Sequence, residues 1–424
     1  MEQVVTAPDR GNTGRRNWAM DSLTNDVQAL IDNFRRTGEP APLQQAAEKF
    51  AAMLGEGTRD KAFPTLRTMI DFELGHWADA RGSLENLAIL DPDNAGTFRD
   101  LGTVNAKLRD FQRVVDSLTT FFKLAPDTMD DTAYTALATA LHAVGRGDEG
   151  RMILDAAVRR NPNLELDSGG NFLELQQAAQ ARGLPPLLLN TLFKSASMYI
   201  AARLETGLNL PRSYITHSAL SGDQIIPSWL ERFANGGVIC QEHLPARADV
   251  LEALNQAGIQ RMVVHIRDSR QAMISGIHHL VGLFSNDSFE SSVVTKALPP
   301  AFDQWAFSDQ VDHYLGQPFL EQVQWIVDWQ RAASGGVFSG QIMMTSYEAF
   351  RADNRAYFEA LLAFHDIPFK MFDWSQIEAA PEKGMLHYRS GETNEWERVL
   401  SPSQISRANE VMATTGLDPD SFKS

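Results

Sequence analysis

The sequence predicts an α-helical solenoid followed by an α/β domain built on a parallel sheet, and three observations carry that expectation. Residues 25 to 165 read as helix throughout, with helix-closing prolines at Pro92, Pro126 and Pro162, which lie 34 and 36 residues apart. After residue 187, apolar runs of strand length alternate with stretches of helical period, the pattern of a parallel sheet covered on both faces. A chain of 424 residues is also too long for one ordinary core, so two domains are expected.

Composition narrows the function classes. The net charge of -16 argues against a general nucleic-acid surface, which needs a basic face to displace counterions. A phosphate site must then be a local pocket fed by a few cations such as Lys194, Arg267 and Arg389. Neither a secretion signal nor a membrane span is expected. Cys240 is the single cysteine, which excludes a disulfide framework and a multi-cysteine metal site. It fits a reducing cytoplasm, and a small buried side chain is its expected role.

In chain order, residues 1–24 are polar and without sustained period, and are expected to form a flexible leader. Residues 25–165 repeat. Leu74 to Ala80 followed by Leu84, Leu87 and Leu90 is echoed by Lys107 to Phe111 with Val114, Leu118 and Phe121. A third copy runs from Val144 to Glu149 with Ile153, Leu154 and Ala157. This resembles the tetratricopeptide repeat, whose period is about 34 residues. Its first-helix positions hold Phe98, Leu101 and Gly102 in one copy and Tyr134, Leu137 and Ala138 in the next, and a small residue among large ones lets two helices approach closely. The stretches Val27 to Phe34 and Leu43 to Leu54 read as a degenerate leading repeat. Such solenoids present a concave face to a protein partner or to a second subunit.

Residues 166–186 hold Asp167-Ser168-Gly169-Gly170, a linker helix from Phe172 to Ala181, and Gly183-Leu184-Pro185-Pro186, so the domain boundary is expected here. Beyond Leu187, strands are expected at Gly237 to Cys240, Met262 to Ile266 and Ile342 to Thr345. Helices are expected at Ala248 to Ala257, Arg270 to Leu280, Leu320 to Ala332 and Tyr347 to Phe364. Ligands of such sheets bind beyond the carboxyl ends of the strands, where the loops with Lys194, His243 and Arg267 would emerge.

Residues 187 to 199 organise the rest. Leu187-Leu-Leu-Asn-Thr-Leu-Phe193 reads as a buried strand, Lys194-Ser195-Ala196-Ser197 as a tight loop, and Met198, Tyr199, Ala202 and Leu204 as the start of a helix. Free amides, the positive end of a helix dipole, two hydroxyls and a lysine would then converge on one point and suit an anion. A plain capped turn is the alternative for this stretch alone. A second strand ends at Arg267, and Ser275, two turns into the following helix, can face the same side. A fork plus a hydroxyl suits a phosphate monoester. An ordinary ion pair of Arg267 with Asp268 or Glu242 is the alternative.

Taken in order, these segments resemble the PAPS-dependent sulfotransferase family, whose donor is 3′-phosphoadenosine 5′-phosphosulfate. The family's 5′-phosphosulfate loop, Lys-Ser-Gly-Thr-Thr-Trp, is matched by Lys194-Ser195-Ala196-Ser197-Met198-Tyr199. Its 3′-phosphate segment is matched by Arg267 and Ser275. The signature Arg-Lys-Gly-x-x-Gly-Asp-Trp is echoed by Arg389-Ser390-Gly391-Glu392-Thr393-Asn394-Glu395-Trp396. Tyr347-Glu348 stands in the place of Tyr-Glu-Asp near the adenine, and Glu242-His243-Leu244-Pro245 in that of the catalytic Thr-His-Leu-Pro. The resemblance covers residues 187 to 400 and implies a P-loop-like sheet. No Walker-type Gly-x-x-x-x-Gly-Lys is present.

The sequence also departs from the family. Ala196 replaces a glycine, which is tolerable in a loop that avoids positive φ there. Met198 replaces a hydroxyl, Ser390 removes a charge, and Gln241 stands where many members have a second lysine. Tyr199 keeps an aromatic face for adenine.

The resemblance implies in-line transfer of a sulfuryl group from PAPS to a hydroxyl acceptor, with PAP as product. His243 is the general base, with a core histidine satisfied by a backbone carbonyl as the alternative, and Lys194 neutralises charge on the leaving phosphate. Glu242 either orients the imidazole or is itself the base. No metal requirement is expected, and the adjacent His278 and His279 point to different helix faces. Phe302, Trp305 and Phe307 either line the acceptor pocket or pack the core. Two other functions stay open: a repeat scaffold with an inactive sulfotransferase-like domain, and a nucleotide or phosphate-transfer enzyme. The acceptor is open among lipid, glycan, small metabolite and protein.

Overall fold

The computed structural model describes residues 25–39, 41–42, 44–46, 62–160, 172–217, 224–285, 289–378 and 391–422. The chain divides into two compact units, one ending at Val144 and the other beginning at Gly145. No helix among the described residues is long and apolar enough to cross a membrane.

In the first unit, residues 25–37 form a helix that packs Val27 and Ile31 against Leu66 and Ile70. The second expected leading helix is described only in part, and its residues from 47 on lie outside the described residues. There follow α1 (Ala62–Leu74), α2 (Trp77–Leu90), α3 (Ala95–Lys107), α4 (Phe111–Leu124) and α5 (Asp131–Ala143), each packed on the next. Short turns reverse the chain. Gly75 at φ +70° makes the turn after α1, and the carboxylates of Asp110 and Asp130 cap α4 and α5 by accepting the amides of Arg113 and Ala133.

At Gly102 α3 and α4 approach closely, because a Cβ there would clash with a methyl of Leu118. Beside it the buried Asn105 donates to Ser117 at 3.3 Å. The small residue inferred from the repeat pattern therefore has a steric cause.

The second unit opens with α6 (Gly147–Arg160) and α7 (Phe172–Ala181). Helix α6 packs on α9 (Pro227–Ala234): Asp155 accepts the amide of Ser228 at 2.8 Å, and Arg159 pairs with Glu231 at 2.9 Å. The sheet has five parallel strands in the order β2-β3-β1-β4-β5: β1 (Leu187–Thr191), β2 (Arg212–Ser213), β3 (Ile239–Glu242), β4 (Arg261–Ile266) and β5 (Gln341–Ser346). Central β1 pairs Asn190 with Glu242 of β3 and Thr191 with His265 of β4.

Alternation along the strands sends side chains to two cores. Leu188, Met262 and Val264 join Phe319, Ile326 and Trp329 on one face. Leu187, Leu189 and Val263 join Ile200, Leu204 and Phe358 on the other.

Several elements differ from expectation: β1 ends at Thr191 rather than Phe193, and the helices expected at Arg270 to Leu280 and Leu320 to Ala332 run over Ser269–Phe284 and Gln317–Gly335. The strand predicted at Gly237 to Cys240 starts two residues later, because Gly236 and Gly237 at φ +83° and +69° form a turn. The single helix predicted over Tyr347 to Phe364 is two, α15 (Tyr347–Ala352) and α16 (Asn354–Phe364). Asp353 divides them at φ −148°, ending one helix and capping the next through the amide of Ala356. The two-residue β2 is too short to leave a periodic signal.

Candidate active site

The site lies at the carboxyl edge of the sheet, where the chain leaves β1, β3 and β4. After β1 it passes through Leu192 to Ala196 and enters α8 (Ser197–Leu208). Two residues of this loop are left-handed, Lys194 at φ 65° and Ala196 at φ 70°. The expectation that the loop avoids positive φ at Ala196 is thus corrected. An L-residue there costs about 1 to 2 kcal/mol, and strain of this kind persists where the surroundings over-determine it. Ala196 is the N-cap of α8, with no side chain capping the helix start.

The loop's hydroxyls do not both face outward. Ser195 is fully buried and its Oγ donates to the carbonyl of Leu192 at 2.6 Å, closing the turn. Ser197 is buried as well. Lys194 is half-buried, with its ammonium 5.6 Å from the centre of the Phe193 ring. Tyr199 is packed in the core against Phe350, with Arg203 over its ring, so its face is not open to adenine. Met198 is half-buried and its sulfur accepts from Arg212 at 3.8 Å.

His243 follows β3 directly. Its Nδ1 lies 2.6 Å from the carbonyl oxygen of Thr191, which can only accept, so Nδ1 carries the proton and Nε2 the lone pair. The Gln241 amide nitrogen approaches that Nε2 at 3.4 Å. Phe193 packs edge-on against both His243 and His279. The residue keeps an exposed surface, yet the protein around the ring pulls its pKa below the ordinary 6.5 by desolvation. The Thr191 hydrogen bond and Glu242 oppose that shift, while Lys194 adds to it.

Glu242 has another task. Its Oε1 accepts the amides of Ile215 and Thr216 at 2.9 and 3.0 Å, and its Oε2 accepts the Thr216 hydroxyl at 2.6 Å. The imidazole is therefore oriented by Thr191, not by Glu242, whose carboxylate is spent on the 215–216 segment.

The residue after His243 is clamped from three sides. The Leu244 carbonyl accepts from Trp325 and Trp329 at 2.8 Å each and from Asn190 at 3.1 Å, and Asn190 also takes the Leu244 amide at 2.7 Å. Trp329 is thus a core residue with a positioning role. Phe302 is buried, Trp305 is more open, and Phe307 stacks on His278.

Arg267 leaves the tip of β4. Its Nη1 donates to the carbonyl of Lys194 at 2.8 Å and its Nη2 to that of Glu392 at 2.7 Å, while the guanidinium lies 3.9 Å from the Tyr347 ring centre. Four segments distant in sequence meet through this one side chain. Gly391, at φ 72°, precedes Glu392, whereas Arg389 and Ser390 lie outside the described residues. Ser275 is half-buried on α11 (Ser269–Phe284), one turn before His279, hence on the helix side that meets Phe193. Asp268 and Arg270 form a buried ion pair at 2.7 Å, with Arg270 over the Trp396 ring.

Sequence reasoning missed three supports of the site, Asn190, Thr191 and His265. His265 is fully buried; its Nε2 lies 2.9 Å from the Ser195 carbonyl, and its Nδ1 lies 2.8 Å from the Tyr357 hydroxyl and 2.9 Å from that of Thr345. Burial pushes its pKa down to about 3, so the neutral ring donates from Nε2 and accepts at Nδ1. It ties the Lys194 loop to β4 and β5. Its position two residues before Arg267 was the only sequence signal.

No family model matches the chain, and no curated protein matches it. Solved structures similar to it include the mouse sulfotransferase SULT7A1 complexed with PAP, at 15% identity over 57% of this chain and 88% of that one, with a TM-score of 0.36. The MamA protein is 15% identical over 36% of this chain and 88% of that one, with a TM-score of 0.28. An O-GlcNAc transferase of Thermobaculum terrenum is 12% identical over 94% of this chain and 91% of that one, with a TM-score of 0.27. Likeness at this level does not decide the chemistry, which rests on the geometry of the chain itself.

Proposed function

We propose that the chain is a sulfotransferase, moving the sulfuryl group of 3′-phosphoadenosine 5′-phosphosulfate to a hydroxyl acceptor. The observation that carries this reading is the convergence of Lys194, His243 and Arg267 on the carboxyl edge of three adjacent parallel strands, beside the N-terminus of α8. The helix start and the left-handed loop suit the 5′-phosphosulfate, with Lys194 and the backbone of Ser195 to Met198 around it. Arg267 and Ser275 take the 3′-phosphate, Tyr347 supports Arg267, and Arg389, Ser390 and Gly391 complete the proposed set of donor contacts. Tyr199 holds the loop from beneath.

In the reaction, the acceptor oxygen attacks sulfur as its proton passes to Nε2 of His243. The sulfur to bridging-oxygen bond breaks, and PAP leaves with its new charge beside Lys194. As in phosphoryl transfer, the protein's share is positioning and charge.

In the same reading residues 25–165 form the repeat domain. Residues 166–186 are a linker and 187–424 the transfer domain, in a cytoplasmic protein. The repeats would hold an acceptor protein or a second copy of the chain. Incubation with sulfur-labelled donor and fractionated lysate should yield a labelled product, and His243→Ala should lower its rate by about two to four orders of magnitude.

A second reading, a repeat scaffold with a silent transferase-like domain, is favoured by the Ser195 hydroxyl closing on Leu192. Absence of any labelled product, with a partner still captured by the repeats, would select it. A requirement for ATP with magnesium would select a phosphate-transfer enzyme instead.

A further inference from the structure

We propose that the turn between α1 and α2 is a divalent transition-metal site, with Asp71 Oδ1, the His76 imidazole and an Asp79 carboxylate oxygen as its protein ligands. One ligand atom from each of the three side chains lies within 4.8 Å of the others, close enough for modest side-chain rotation to bring them onto one ion.

The site is set up by the local fold. Gly75 turns the chain at φ +70°, the His76 amide donates to the Asp71 carbonyl at 2.8 Å, and Asp79 follows in the first turn of α2. His76 and Asp79, three residues apart, share one side of that turn.

The observation that points to a ligand is Asp71 itself. Its side chain is fully buried and its Oδ2 accepts from Arg67 at 2.7 Å, yet its Oδ1 has no hydrogen-bond partner. That oxygen faces the His76 Nδ1 at 3.8 Å, beyond hydrogen-bond reach. A buried carboxylate oxygen with no donor is costly, and a cation between it and the imidazole would remove the cost.

Charge agrees with this. Two carboxylates against the Arg67 guanidinium, which also lies 3.8 Å from Asp79, leave the cluster with one net negative charge when His76 is neutral. One imidazole and two carboxylates suit zinc, manganese or nickel rather than calcium or magnesium, which favour oxygen-only sets. The His76 and Asp79 side chains are more than half exposed, which gives the ion an entry path and leaves a coordination position for water. Bound there, the ion would fasten the turn between two helices of the first unit.

The test is calorimetric titration of the chelator-treated full-length chain with zinc and, separately, magnesium, for the native sequence, Asp71→Asn and His76→Gln. The native chain should bind one equivalent of zinc more than either variant, should not bind magnesium in its place, and should unfold a few degrees higher with zinc where the variants do not. Equal zinc stoichiometry in all three chains, or no zinc binding by the native one, overturns the proposal. His76→Gln changes a half-exposed turn residue and keeps the test decisive if Asp71→Asn fails to fold.

Discussion

The Nδ1 of His243 lies 2.6 Å from the carbonyl oxygen of Thr191, the last residue of the neighbouring strand. That contact fixes the tautomer, leaving Nε2 as the basic atom, and ties the ring to the centre of the sheet. Because desolvation lowers the pKa of His243, the ring stays neutral, and able to accept a proton, to below pH 6.5. Donor turnover should therefore show an acid limb centred below pH 6.5, and His243→Gln should abolish that limb together with the rate. A pH profile of turnover checks both.

Ala196 at φ 70° is strained where glycine would not be. Ala196→Gly should stabilise the second unit by about 1 kcal/mol, seen as a higher denaturant midpoint by tryptophan fluorescence. A lower midpoint would mean that the Ala196 methyl, packed against the second core, contributes more than the backbone costs.

His265 and His365 are both buried, with pKa values pushed down to about 3 and about 4. The native state thus binds fewer protons than the unfolded chain between those values and 6.5. Stability is held above pH 6.5 and lost as pH falls below it. At pH 5 each should cost roughly 2 kcal/mol relative to pH 7. Thermal unfolding of His265→Gln should depend less steeply on pH than that of the native chain, while its loosened Ser195 carbonyl should weaken PAP binding even at pH 7.

The close approach at Gly102 predicts that Gly102→Val, forced against Leu118, destabilises the first unit by about 1 to 3 kcal/mol. Thermal melting followed by circular dichroism checks the loss.

Strands β4 and β5 are legible to within one residue at each end because each is an apolar run bounded by turn residues, whereas β1 stops at Thr191, two residues before its apolar run does, and Arg267 is legible as a strand tip followed by a helix. Glycine conformation set the start of β3, which periodicity does not record. The supports of the site were hidden for a similar reason. Thr191, Asn190 and His265 are polar residues inside buried strands, and the Leu244 carbonyl that gathers Trp325 and Trp329 is a backbone atom. The Arg267 contact with Glu392 spans 125 residues, and only the folded chain brings them together.

The central claim is that this carboxyl edge grips a nucleotide carrying phosphates at both ends of its ribose. Calorimetric titration with 3′-phosphoadenosine 5′-phosphate tests it most directly, using the native chain and Arg267→Ala side by side. The account predicts micromolar or tighter binding by the native chain, stronger than for ATP with magnesium, and weakened in Arg267→Ala by about 1.5 to 3 kcal/mol. No binding by the native chain, or equal affinity in the two, would contradict it.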